Sequence, residues 1–172
     1  GRRRGSNEAG GARGGGCGAE AAGVGEGWGG GMAVNLTSYA GLARGARVHL
    51  EAADAGRSVC TAWTEALGAS GRVPAYNASK AGVIGLVRAL AVELGRRGIT
   101  TNAVCPGPIE SGMTAAIPEE HRDTFARRRV PLGRYGSPEE VAHGMLNLVL
   151  PASRYVNGAV PAIEGGVTSW HT

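Results

Sequence analysis

From Tyr76 to Gly107 the chain reads YNASKAGVIGLVRALAVELGRRGITTNAVCPG, and this stretch decides the fold. Val83, Leu86, Val87, Leu90, Ala91 and Leu94 recur at i, i+3, i+4, i+7, i+8 and i+11. That spacing predicts a helix over Tyr76 to Arg97 with one apolar face. Gly98 stands where a helix C-terminal cap belongs. Ile99 to Cys105 then predicts a buried strand, halted by Pro106-Gly107-Pro108.

Working outward, a helix is expected from about Thr114 to Arg128. Another opens at Ser137-Pro138-Glu139-Glu140, with serine as N-cap, proline at the first helical position and Glu140 closing a capping box, and runs to about Val149. Ala159 to Ile163 reads as a last short strand before Gly165-Gly166. Upstream, Ser58 to Ala62 is a candidate strand. Met32 to Leu50 has helical spacing, which Gly41 and Gly45 weaken by about 1 kcal/mol each. Strands alternating with helices predict an α/β fold, a Rossmann-like parallel sheet with flanking helices over residues 32–172. Gly1 to Gly31 is glycine, alanine and arginine with few larger apolar groups, and this composition predicts a low-complexity, disordered stretch. The chain opens on glycine, which suggests an incomplete start.

Composition removes several function classes. Arginine supplies all but one of the 18 basic residues, and the net charge is +4. The arginines scatter without aromatic interleaving or a binding motif, so no nucleic-acid partner is expected. Cys17, Cys60 and Cys105 have neither ligand spacing nor an even count. They suggest no disulfide framework and no zinc, and fit a reducing, cytoplasmic setting. His49, His121, His143 and His171 form no constellation, so no metal is expected. No apolar run approaches the ~18 residues that span a bilayer, and no secretory h-region follows the early arginines.

Tyr76 and Lys80 are four residues apart, one helical turn on one face. A free phenol has a pKa near 10 and is a poor base at neutral pH. An ammonium within ~4–6 Å stabilises the phenolate and draws that pKa down, which suits the pair to interconverting an alcohol and a carbonyl.

Tyr76-Asn77-Ala78-Ser79-Lys80-Ala81-Gly82, the run Gly98 to Gly107 and Glu164-Gly165-Gly166 resemble the short-chain dehydrogenase/reductase family. So do Pro131-Leu132-Gly133-Arg134 and Ser137 to Ala142, while Val34-Asn35-Leu36-Thr37 resembles the family's helix with a catalytic asparagine. The likeness is dense from about Val73 to Gly166 and thinner back to Trp28. It implies NAD or NADP as cofactor and a small-molecule carbonyl or alcohol substrate. It makes Tyr76 the general acid/base, Lys80 its partner and ribose ligand, and Asn35 the residue shaping a helix around a relay water. Pro106, Gly107 and Ile109 would line the nicotinamide, with Ser111 near its carboxamide. The carboxyl-terminal half looks most like members that reduce 3-oxoacyl groups on a carrier protein. The helix after Ala78 and the one near Asn35 resemble the family's dimer-forming pair, which implies a homo-oligomer. Asn102 reads better as a tie between neighbouring backbones than as a catalytic group.

Two departures stand out. The family's catalytic serine lies thirteen residues before its tyrosine, a position that here is Trp63. Loss of such an oxyanion donor typically costs ~10²–10³ in rate. Thr64 should point to the opposite face of a strand, and Thr61 should lie deeper on the same one. The family's amino-terminal half, with its first strands and glycine-rich turn, has no counterpart of adequate length. Gly10 to Gly16 matches GxxxGxG with no strand before it, and Ala21-Ala22-Gly23-Val24 only echoes a family turn. The strand near Val59 should therefore show an open edge. Two readings follow: a reductase acting through Tyr76, or a truncated, non-catalytic partner subunit. A third source of the pattern is an amino-terminal half scrambled by a frame or gene-boundary error.

Overall fold

The computed structural model describes residues 21–68 and 73–169. The glycine-rich motif at Gly10 to Gly16 and Cys17 lie outside them. β2 (Thr100–Pro106) is the centre of a parallel sheet in the order β1-β2-β3, flanked by β1 (Arg57–Thr61) and the two-residue β3 (Ala162–Ile163). All seven residues of β2 are buried, which an apolar-rich strand covered on both faces requires. β1 pairs from Arg57 against Thr100 to Thr61 against Val104. Its other edge has no strand neighbour among the described residues, as the sequence implies for the strand around Val59.

The apolar stripe after Tyr76 forms α3 (Pro74–Gly95), with proline in its first turn. Val83, Ile84, Val87, Ala91 and Leu94 are buried, while Leu86 and Leu90 line a groove against the preceding helix. The expected single face is thus divided between sheet and neighbouring helix. Gly98 takes the left-handed conformation, φ 76°, that closes the helix.

Upstream, α1 (Ala21–Met32) runs through a π turn (Ala33–Thr37) into α2 (Ser38–Ala52). A helix therefore occupies Ala21 to Gly31, where composition alone predicts disorder. Glycine disfavours a helix locally, but α1 is continuous with the next segments and packs against α3. Arg47 of α2 bridges Glu51 at 2.7 Å and Glu93 of α3 at 2.8 Å, and Arg97 pairs with Glu51 as well.

The single helix expected over Thr114 to Arg128 is two, α4 (Gly112–Ala115) and α5 (Glu119–Arg129). Pro118 separates them, because its missing N–H and extended ψ of 137° interrupt the ladder. α6 (Pro138–Val149) starts with the expected capping box: the Glu140 N–H donates to Ser137 Oγ, and the Ser137 N–H to Glu140 Oε2 at 2.8 Å. Arg134 adds a two-pronged pair to Glu140, at 2.8 and 2.7 Å. α3 and α6 both pack on β1 and β2. Ala62, Val83, Ile84, Val87, Ala103 and Cys105 form the core on the α3 side, with Leu36 and Tyr39 packed against it.

Asn102 acts as the tie read from the sequence. It is fully buried in β2, donates from Nδ2 to the Val156 carbonyl and accepts the Ala159 N–H, each at 2.9 Å. Asn157 answers from the other side, accepting from the Thr101 N–H and donating to the Ala91 carbonyl.

Candidate active site

Tyr76 and Lys80 stand one turn apart near the start of α3, both half-buried. The Lys80 ammonium is 5.8 Å from the centre of the Tyr76 ring and 5.9 Å from that of Tyr39 on α2. It donates to the Thr61 carbonyl at 3.2 Å, and the Tyr39 hydroxyl donates to the same oxygen at 3.0 Å. Peptide geometry explains why that oxygen is available. The Ala62 N–H bonds the Val104 carbonyl at 2.8 Å, so the Thr61 carbonyl across the same trans peptide points away from β2, toward the open edge. Two side chains satisfy it in place of a neighbouring strand.

This arrangement alters the acid–base picture drawn from spacing alone. Burial pushes the Tyr76 phenol up to about 12, with the charge of Glu65 and the phenol of Tyr39 adding to the effect. Burial lowers the Lys80 ammonium, opposed by Cys105. Lys80 holds the Thr61 carbonyl, and at this distance it does not offset the burial of the phenol. The Tyr76 phenol is therefore held protonated through the neutral range.

Asn35 lies in the π turn, half-buried, one turn before Tyr39. There the Ser38 N–H reaches back to the Ala33 carbonyl, and the Ser38 hydroxyl takes the Val34 carbonyl at 2.5 Å. Such turns displace the regular i→i+4 ladder and are frequent at functional sites.

Trp63 follows the end of β1 in extended conformation and is half-buried. Its backbone lies against the Cys105 thiol, whose pKa burial raises and this hydrogen bond lowers. β1 ends at Thr61, so Thr64 belongs to a 3-10 turn (Thr64–Ala66) and not to the strand. It is buried, with its hydroxyl 3.3 Å from Glu65 Oε2. The alternation expected to turn Thr64 away therefore does not apply there.

The loop after β2 is held tightly. The Gly107 N–H bonds the Ile163 carbonyl at 3.0 Å. A Cβ on Gly107 would lie 2.7 Å from Glu164 Cα, so only glycine allows this approach. Ile109 pairs with Gly136 and lines a cavity of about 120 Å³ with Leu132, Ile163 and Gly165. Ser111 is exposed and caps α4, its N–H donating to Thr114 Oγ1 at 2.8 Å. Tyr76, Lys80, Trp63 and Pro106 thus gather at the carboxyl ends of β1 and β2. Tyr39, Glu65 and Cys105 join them without any sequence motif. The Asn35–Tyr39 spacing, one helical turn, is the signal that could have found the first of these.

The family model for enoyl-(acyl carrier protein) reductase matches residues 7–168. The chain is 53% identical over 92 residues to the 3-oxoacyl-[acyl-carrier-protein] reductase FabG of Thermotoga maritima, covering 54% of this chain and 37% of that one. It is 38% identical over 138 residues to cis-4-hydroxycyclohexanecarboxylate dehydrogenase of Sinomonas cyclohexanicum, covering 79% and 54%. An NADPH-bound short chain oxidoreductase of Pseudomonas aeruginosa PAO1, containing an atypical catalytic center, superposes with a TM-score of 0.78 at 29% identity, covering 85% of this chain and 59% of that one. The chain spans roughly a third to three fifths of the length of these relatives. On the family match and the shared parallel sheet, this chain belongs to the short-chain dehydrogenase/reductase family.

Proposed function

We propose that this chain carries the substrate side of an NAD(P)-dependent oxidoreductase site that interconverts a carbonyl and an alcohol, with Tyr76 as proton donor. The observation that carries this reading is the Tyr76–Lys80 pair at the carboxyl ends of the strands, where open α/β sheets bind ligands. The donor set suits the nicotinamide end of the cofactor. An ammonium has three N–H donors; Lys80 uses one on Thr61, leaving two for ribose hydroxyls. Pro106, Gly107, Ile109 and Ser111 would bound the ring from the loop after β2. When bound, the nicotinamide supplies or accepts the hydride. Tyr76 gives its proton to the carbonyl oxygen as charge develops there, and Lys80 stabilises the phenolate left behind. The free thiols Cys60 and Cys105 fit a reducing, cytoplasmic setting. No helix among the described residues is long and apolar enough to cross a membrane.

The test is a titration of the folded chain with NADPH and NADH, following tryptophan emission, with carbonyl reduction assayed beside it. Saturable quenching with turnover supports the reading, and a folded chain that binds neither cofactor overturns it. That negative result is what a non-catalytic partner subunit would give, a reading favoured by Trp63 at the serine position. Trp63→Ser separates the two. If the chain lacks only its oxyanion donor, this variant should gain ~10²–10³ in turnover. No gain in a folded variant that binds cofactor would mean the defect lies elsewhere.

The family resemblance of α2 and α3 to a dimer-forming pair supports a homo-oligomer. Leu42 and Val48 of α2 and Val92 of α3 are 69%, 64% and 81% exposed, apolar side chains available for a second copy to cover. Val92→Glu should shift the chain toward monomer in sedimentation velocity, and an unchanged distribution would place any interface elsewhere.

A further inference from the structure

Lys80 is the only lysine of the chain, and two phenol rings from different helices flank its ammonium. The Tyr76 ring, on its own helix, is centred 5.8 Å away, and the Tyr39 ring, on α2, 5.9 Å away. Both lie within the ~6 Å over which a ring face attracts a cation. The Tyr39 hydroxyl and the ammonium also share one acceptor, the Thr61 carbonyl, at 3.0 and 3.2 Å. A carbonyl oxygen has two lone pairs, so the phenol takes one and leaves Lys80 the other. That acceptor is fixed, because the Ala62 N–H of the same peptide is bonded to the Val104 carbonyl at 2.8 Å. Tyr39 is fixed too: it is half-buried and packs against the core that holds Val83 and Ile84 of α3.

We propose that Tyr39 is a positioning residue: it holds the Lys80 ammonium beside Tyr76 at the carboxyl end of β1, ready to take a cofactor ribose and to steady the tyrosine phenolate. The inference rests on the reading of Tyr76 and Lys80 as the reacting pair. A lysine head swings on a flexible four-carbon stem, and ordering it for a ligand costs rotamer freedom. Tyr39 meets part of that cost before the cofactor arrives. Its hydroxyl, by taking one side of the Thr61 carbonyl, restricts where the ammonium can bond. Its ring face draws the cation away from solvent. Binding then starts from an ammonium already in place, the general gain of preorganisation. Tyr39 acts through Lys80, so its contribution should exist only while the ammonium is there.

The test is a double-mutant cycle on the full chain, with NADPH as cofactor and ethyl acetoacetate as the ketone. Tyr39→Leu should raise the Kd for NADPH by roughly two- to thirtyfold and lower kcat, with KM for the ketone unchanged. In the Lys80→Met background the same substitution should change neither Kd nor kcat. Tyr39→Phe removes only the shared donor and should show a smaller loss with the same dependence on Lys80. It carries the cycle if the leucine variant does not fold. A folded variant that loses nothing, or that loses equally in both backgrounds, overturns the proposal. If the wild type neither binds NADPH nor reduces the ketone, it is the oxidoreductase reading that fails. The place of the ammonium is then judged by NMR, where isotope-labelled lysine gives a single side-chain signal. Its ε-protons should lie upfield of their position in the urea-unfolded chain, and Tyr39→Leu should move them back toward it. A signal that Tyr39→Leu leaves unmoved overturns the hold of Tyr39 on Lys80.

Discussion

Tyr76→Phe should lower carbonyl reduction by ~10²–10⁴ while leaving cofactor binding intact. The substitution keeps the ring, its packing on α3 and its place 5.8 Å from the Lys80 ammonium. It removes only the hydroxyl proposed to give the proton. Lys80→Met should cost as much in rate and should also weaken cofactor binding, because the two free ammonium donors go with it. The two variants together separate proton donation from ribose holding. The pH dependence follows from the raised phenol. An acid whose pKa is pushed up to about 12 is protonated through the neutral range. Reduction, which needs the protonated form, should therefore be flat from about pH 6 to 9, whereas oxidation, which needs the phenolate, should rise about tenfold per pH unit. Measuring kcat/KM against pH in both directions checks this. A reduction profile that falls with a midpoint near pH 7 would show that bound cofactor and substrate lower the phenol well below its value in the free chain.

Asn102→Ala should destabilise the chain by about 2–6 kcal/mol, measured by urea denaturation. Asn102 is fully buried in the central strand, and both ends of its amide are used. Truncation leaves the Val156 carbonyl and the Ala159 N–H without their partner, and each buried unpaired group costs about 1–3 kcal/mol. The change also frees the segment that leads into β3, only two residues long and held to β2 through Cys105 and Pro106. Pro106 opens the loop proposed to bound the nicotinamide, so cofactor affinity should fall along with stability. A loss below about 1 kcal/mol would mean that water or a shifted backbone takes over both hydrogen bonds.

Several elements were legible because their causes are local. The i, i+3, i+4 recurrence from Val83 to Leu94 specifies α3, Gly98 closes it with a positive φ, and Ser137 with Glu140 starts α6. Asn102 was readable as a tie because a polar residue inside a buried strand has to find backbone partners. Pro118 was a local signal too, and the expected helix over Thr114 to Arg128 ran through it where the chain breaks. The helix from Ala21 was not legible. Glycine-rich sequence argues against one, and only packing on α3 outweighs that preference.

In the site, sequence by itself determined that Tyr76 and Lys80 share a helix face, that Trp63 stands where the family has serine, and that the outer edge of β1 has no strand neighbour among the described residues. Each follows from spacing or from the order of segments along the chain. Tertiary structure alone decided what Lys80 bonds to and that Tyr39 shares its acceptor. Spacing says which residues lie one turn apart. The acidity of a phenol is decided by burial and by charges brought to it from segments that the fold, and not the chain, makes neighbours.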